Sequence, residues 1–225
     1  MISFVFFDID DTLFPSTEFS ELARRNAIHA MIRVGLDKSE KEIERVLLQV
    51  IGEKGSNYPN HFDEVLKQLG VRNRARYVAA AVAAYHDTKI AILPYPEVPQ
   101  LLLELRARGK KIYVVSEGLE IKQWDKLIRM QLPLYFDDVF VSEHRENGKS
   151  AEFYKRIIKT VGAAPNQCLM AGDRENKDIL PAKKAGMQTF RVFRGKYAAK
   201  PKTTVADYSG RDLRQIVKIV KKPSH

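Results

Sequence analysis

The chain has 225 residues, of which 44% are hydrophobic and 29% charged, with a net charge of +10 and a single cysteine. This is enough chain for one good domain plus a smaller one, with an ordinary soluble composition. It excludes an internal disulfide, and the longest apolar run, alanine-rich residues 77–85, is too short to span a bilayer. With no charged leader before the first apolar stretch, the cytoplasm is the expected compartment.

Residues 4–7 are apolar at every position and read as a strand buried on both faces. Three carboxylates follow at once, Asp8, Asp10 and Asp11, with a hydroxyl at Thr12. Clustered carboxylates repel, so something positive must neutralise them, and hard oxygens on a tight loop suit Mg²⁺. The alternative is a helix-entry loop in which Asp10, Asp11 and Thr12 cap the next helix.

From residue 16 to 90 the pattern is helical with no convincing strand. The first helix covers 18–34, placing Phe19, Leu22, Ala23, Ala27, Ala30 and Met31 on one face. A second covers 39–51, opened by a capping box of Ser39 and Glu42. A turn-rich stretch over 52–60 precedes helices at 61–69 and 74–88. Pro94, Pro96 and Pro99 then make a stiff hinge. Strand and helix alternate afterwards, with strands at 111–115, 138–141, 167–171 and 188–193. Helices are expected at 99–108, 119–130, 150–161, 176–185 and 211–221. The fold class is therefore α/β: a Rossmann-like parallel sheet with helices on both faces, formed by residues 1–15 and 91–225, plus an inserted all-α cap of four helices over 16–90. Ligands bind such sheets at the strands' carboxyl ends, where Asp8, Ser116, Lys149 and Asp173 all fall.

Charge is uneven. Residues 191–225 hold ten Lys/Arg against Asp207 and Asp212, a local +8. A polyanion-binding role for this region is one alternative. A solvated surface helix over 211–222 is the plainer reading, since there is little aromatic interleaving and no nucleic-acid motif. No nucleic-acid or membrane partner is expected, and nothing specifies an oligomeric state.

Four dispersed motifs carry a resemblance. They are Asp8-Ile9-Asp10-Asp11-Thr12, Ser116 closing an apolar strand, Lys149 opening a helix, and Gly172-Asp173 followed by Asp178. In this order, over residues 1–193, the chain resembles the haloacid-dehalogenase-like superfamily of phosphohydrolases. Gln123-Trp124-Asp125-Lys126-Leu127 and the stretch from Gly55 to His61 look like the phosphatase branch with a helical cap after the first motif.

The resemblance implies a Mg²⁺-dependent phosphatase that hydrolyses a small phosphorylated metabolite through a phosphoaspartyl intermediate. Asp8 would be the nucleophile and Asp10 the general acid and base, its backbone carbonyl ligating the metal. Asp8, Asp10 and Asp173 form the implied metal set, and Asp178 supports it or orients Lys149. The implied phosphate-binding set is Thr12, which would also steady Asp10, with Ser116, Lys149 and the backbone N–H groups of Glu117 and Gly118. Asp11 reads as loop-capping. Glu117 departs from the family's usual short residue, so its side chain must point away from phosphate. The loop after Lys149 lacks the usual proline, which would displace Lys149. Substrate selection would fall to cap residues Phe14, Asn57, Tyr58 and His61, although each also reads as packing or turn-forming. A phosphomutase on the same chemistry is the nearest alternative.

Overall fold

The computed structural model describes residues 1–55, 58–143, 148–199 and 204–220. Six strands form one sheet: β1 (Phe4–Phe7), β2 (Lys111–Glu117), β3 (Asp138–Ser142), β4 (Cys168–Gly172), β5 (Gln188–Val192) and β6 (Tyr208–Gly210). Their order is β3-β2-β1-β4-β5-β6, and every neighbouring pair is parallel. The chain thus starts at the sheet's centre, winds out to β3, and crosses back to β4 on the other side of β1. Connections leave β1 and β4 in opposite directions, which opens a crevice at their carboxyl ends.

Alternation along the strands explains the burial. Phe6, Tyr113, Val115, Cys168 and Met170 join one cluster with Phe153, Tyr154, Ile157 and Ile158 of α7 (Ala151–Thr160) and Ala182 of α8 (Leu180–Lys184). Val5, Phe7, Ile112, Val114 and Leu169 point the other way and are equally buried, so both faces of the sheet are covered. Burial pushes the Cys168 thiol up to about 12, so it behaves as a small apolar residue.

The remaining helices are α1 (Ser16–Arg33), α2 (Glu40–Lys54), α3 (His61–Gln68), α4 (Ala75–Thr88), α5 (Val98–Ala107), α6 (Glu120–Arg129) and α9 (Gln215–Ile219). The chain divides into two compact units, Met1–Thr17 with Ile92–His225, and Glu18–Ala91. The helical unit has its own core of Ala27, Ile28, Met31, Ile43, Leu47, Val50, Val65, Leu66 and Ala81. Ser39 caps α2 by accepting the Glu42 N–H at 3.3 Å. The other half of the expected capping box is not made, because Glu42 pairs with Lys38 at 3.1 Å.

Three elements depart from the sequence expectations. The expected helix at 176–185 is a wide π-type turn, Glu175–Ile179, followed by the short α8. Pro181 has no N–H and its ring crowds the carbonyl four residues back, so a single continuous α-helix cannot form. β6 was not expected: three residues reading Tyr-Ser-Gly carry no periodic signal, and their order comes from pairing with β5. The terminal helix is only Gln215–Ile219, because Asp212 folds back to accept the Arg214 N–H at 2.8 Å.

The turn out of β1 has an identifiable brace. Asp11 sits at φ +52°, and its carboxylate accepts from Ser16 Oγ (3.0 Å), Thr17 N (2.8 Å) and Thr17 Oγ1 (2.5 Å). It caps α1 from outside the helix, satisfying a first-turn N–H that would otherwise lack a partner. Asp11→Ala should therefore cost about 1–2 kcal/mol in urea unfolding, while Asp11→Asn, which still accepts and tolerates the left-handed backbone, should lose much less. Equal midpoints for Asp11→Ala and the unsubstituted chain would remove this brace from the account.

Candidate active site

Asp8 follows β1 directly, and its N–H bonds Ala171 O of β4 at 2.9 Å. In register, Phe7 lies opposite Val114 on one side and Ala171 on the other, so Ser116 and Asp173 reach the same end of the sheet. Lys149 arrives just before α7, whose first turn is capped by the Ser150 hydroxyl accepting Phe153 N at 3.2 Å. Asp178 hangs from the wide turn after β4 and accepts the Arg174 N–H at 2.9 Å. A helix of ordinary pitch over this stretch would aim Asp178 differently. Gly172 is required here, since a Cβ would lie 2.5 Å from Asp178 Cβ.

These four side chains are 0% to 4% exposed and form one cluster. Lys149 Nζ donates to Asp8 Oδ1 at 2.7 Å and to Asp178 Oδ1. Oxygens of Asp8, Asp173 and Asp178 all lie within 4.8 Å of one another. Asp173 Oδ1 is buried with no hydrogen-bond partner among the described residues. Burial, reinforced by Asp178 and Asp10 and opposed by Lys149, lifts Asp8 to about 7. Burial together with Asp8 and Asp178 lifts Asp173 to about 9. Burial alone would lower Lys149, but Asp178 and Asp8 outweigh it and hold its ammonium firmly charged. Among the described residues, three carboxylates thus share one bonded ammonium, leaving the cluster short of positive charge.

The other expected site groups have partners of their own around the cluster. The Thr12 hydroxyl is buried without a partner among the described residues, and its N–H bonds Ile9 O at 3.3 Å. Asp10 bonds Lys126 Nζ of α6 through both oxygens, at 2.6 and 2.7 Å. Gly118 N–H is engaged with Ser142 O at 3.0 Å, since the β2–β3 ladder runs on to pair Glu117 with Ser142. Ser116 is buried in β2. Glu117 pairs with Lys177 Nζ at 3.1 Å, with Gly148 held tightly against both side chains. Lys149 is in bonding range of Asp8 despite the missing proline.

Phe14 is buried in the core unit. In the helical unit, Tyr58 and His61 make an edge-to-face ring contact at 5.4 Å, and His61 Nε2 donates to Gly55 O at 2.9 Å. Asn57 lies outside the described residues.

The basic C-terminal stretch is partly structural. Arg191 is buried, pairs with Glu175 and donates to Asp173 O at 3.3 Å. Arg194 lies 4.0 Å over the Tyr95 ring, pairs with Glu97 and donates to Thr12 O at 2.9 Å. Both were included in the charge count of residues 191–225 without a site role, although they lie at the carboxyl end of β5. Lys126 was also missed as a site residue, although it follows Gln123 by three positions on a strongly amphipathic helix.

A parallel sheet with acidic groups gathered at its switch point, one after the first strand and one after the fourth, defines a hydrolase class, and the chain belongs to it: residues 2–186 match the haloacid dehalogenase-like hydrolase family. Within that family it is a phosphoric monoester hydrolase. Glyceraldehyde 3-phosphate phosphatase of Methanocaldococcus jannaschii is 42% identical over 223 residues, covering 98% of each chain. The Methanopyrus kandleri enzyme of the same name is 47% identical over 201 residues, 88% of this chain and 86% of that one. In fold, the chain is similar to a haloacid-dehalogenase-type hydrolase of Bacillus subtilis solved with magnesium (TM-score 0.70, 19% identity, 97% of this chain and 98% of that one). No helix among the described residues is long and apolar enough to cross a membrane.

Proposed function

We propose that the chain is a Mg²⁺-dependent phosphatase that hydrolyses glyceraldehyde 3-phosphate, or a close three-carbon phosphate, through a phosphoaspartyl intermediate on Asp8. The observation that carries this reading is the buried cluster of three carboxylates around one lysine. Its charge deficit, its hard oxygen donors and the unpartnered Asp173 Oδ1 fit a divalent cation. Asp8 and Asp173 would hold it, with Asp10 contributing as the family resemblance implies. Bound there, the ion supplies charge neutralisation to the phosphoryl oxygens. The substrate assignment is supported by the two relatives of that name at more than 40% identity.

Asp8 then attacks phosphorus, and the bond to the leaving alkoxide breaks as Asp10 delivers a proton to it. Asp10 next takes a proton from water, whose oxygen attacks the same phosphorus and frees Asp8. Lys149 touches Asp8 and neutralises the charge that builds on the transferring group, while Asp178 fixes Lys149 from behind. Thr12 and Ser116 would offer hydroxyls to the phosphoryl oxygens. Selectivity beyond the phosphate is assigned to the helical unit, with Tyr58 and His61 as its candidates, because the core reads little but phosphate and charge.

Asp8→Asn should lower the rate of phosphate release from glyceraldehyde 3-phosphate by at least about a thousandfold while leaving a cooperative thermal transition. A rate within about tenfold of the unsubstituted enzyme would rule out the covalent route. Removing divalent cations with a chelator should abolish turnover, Mg²⁺ should restore it, and Ca²⁺, with its longer and looser coordination, should not. Saturating Mg²⁺ at about 100 Kd adds about 2.7 kcal/mol, and so should raise the melting temperature by about 5–10 °C. Undiminished turnover in chelator, or no change in melting, would sink the metal assignment. Substitution of Tyr58 or His61 should reorder a panel of phosphate esters more than it slows p-nitrophenyl phosphate. A uniform loss across the panel would reduce both residues to a structural role.

A further inference from the structure

The Asp10–Lys126 contact belongs to a longer chain of bonds. Lys126 Nζ, already bonded to both Asp10 oxygens, also donates to Gln123 Oε1 at 3.2 Å. Gln123 is buried, and its Nε2 donates to Glu117 O at 3.3 Å. The carboxylate after β1 is therefore tied, through two residues on one face of α6, to the backbone at the end of β2. Leu127, fully buried beside Lys126, anchors the helix against the core. The pair is half-open to solvent, with side chains 21% exposed for Lys126 and 40% for Asp10. An ion pair of that exposure contributes little to stability, about 0–1 kcal/mol, so stability does not explain so specific an arrangement.

Its geometric effect is larger. Asp10 lies two residues from Asp8 and close to a cluster already crowded with negative charge, so repulsion alone would swing its carboxylate out toward water. Lys126 holds both oxygens at one point. We propose that Lys126, braced by Gln123, is a positioning residue for Asp10, and that proton delivery to the leaving group depends on it. This inference rests on the reading of Asp10 as the general acid.

The two are separable by leaving-group chemistry. An alkoxide is strongly basic and needs a proton to depart, whereas p-nitrophenolate leaves without one. The quantity to measure is kcat/KM, which reports steps up to leaving-group departure, for glyceraldehyde 3-phosphate and for p-nitrophenyl phosphate. Lys126→Met should lower the alkyl-to-aryl ratio of kcat/KM by about tenfold to a hundredfold, as expected for a misplaced proton donor. Lys126→Arg should recover most of that ratio, which a residue that merely filled space would not do. In an Asp10→Asn background, Lys126→Met should lower the ratio no further, because the two act as a unit. Lys126→Gln serves as a second neutral variant, with melting curves confirming the fold of each. If Asp10→Asn itself leaves the ratio unchanged, the reading of Asp10 fails and this inference with it. If Asp10→Asn collapses the ratio but the neutral Lys126 variants lower both substrates equally, or neither, the positioning role alone is overturned.

Discussion

The organising constraint of this protein is a shortage of positive charge in a dry place. Asp8, Asp173 and Asp178 lie within a few ångströms of one another, and among the described residues Lys149 is the cation whose side chain bonds two of these carboxylates. Such a cluster is costly to assemble, and much of the surrounding structure is shaped by holding it. The sheet order puts β1 beside β4, so that two carboxylates arrive from different strands at one level. The wide turn after β4 aims Asp178 inward, and Gly172 leaves room for it. Burial then strengthens every interaction inside, which is what a phosphoryl group and its counter-ion require.

Around this centre, the adjoining loops are bound to one another more than to solvent. Glu117 and Lys177 meet across Gly148, joining the ends of β2, the segment before α7 and the turn after β4. Arg194 reaches Thr12 O and stacks on Tyr95, while Arg191 holds the backbone of Asp173 and the side chain of Glu175. The C-terminal excess of basic residues therefore contributes to loop positions as well as to surface charge. Two of those cations are committed to neighbours in the core unit, which leaves less for a polyanion than the bare sequence count suggests.

What the sequence revealed follows from the range of the physics involved. β1, β2 and β4 are continuous apolar runs, and such runs between turn residues have few other uses in a chain of alternating strands and helices. Asp8 and Asp173 follow β1 and β4 directly and Ser116 lies near the end of β2, so sheet topology alone sends them to one edge, and Lys149 joins them from the segment between β3 and α7. The features that escaped depend on partners distant in sequence. β6 is a strand only because β5 is there to pair with it. The engagement of Gly118 N–H with Ser142, and of Asp10 with a lysine on α6, are tertiary choices among several local options. The wide turn at Glu175–Ile179 reflects a proline at 181 acting backwards along the chain, where periodicity still reads as helix.

One further property follows from a single backbone bond, Tyr95 N–H to Leu13 O at 2.9 Å. Leu13 precedes the helical unit and Tyr95 follows it, so the core ties together the two ends of the excursion. Seen from the core, everything between those residues is one long loop whose closure is already made. The entropy of closing a loop rises only with the logarithm of its length, so a much shorter or longer segment would burden the core by about 1 kcal/mol or less per few-fold change. The fold thereby uncouples its two inheritances. The chemistry at the strand ends can stay fixed while the intervening segment is lengthened, trimmed or exchanged without rebuilding the sheet.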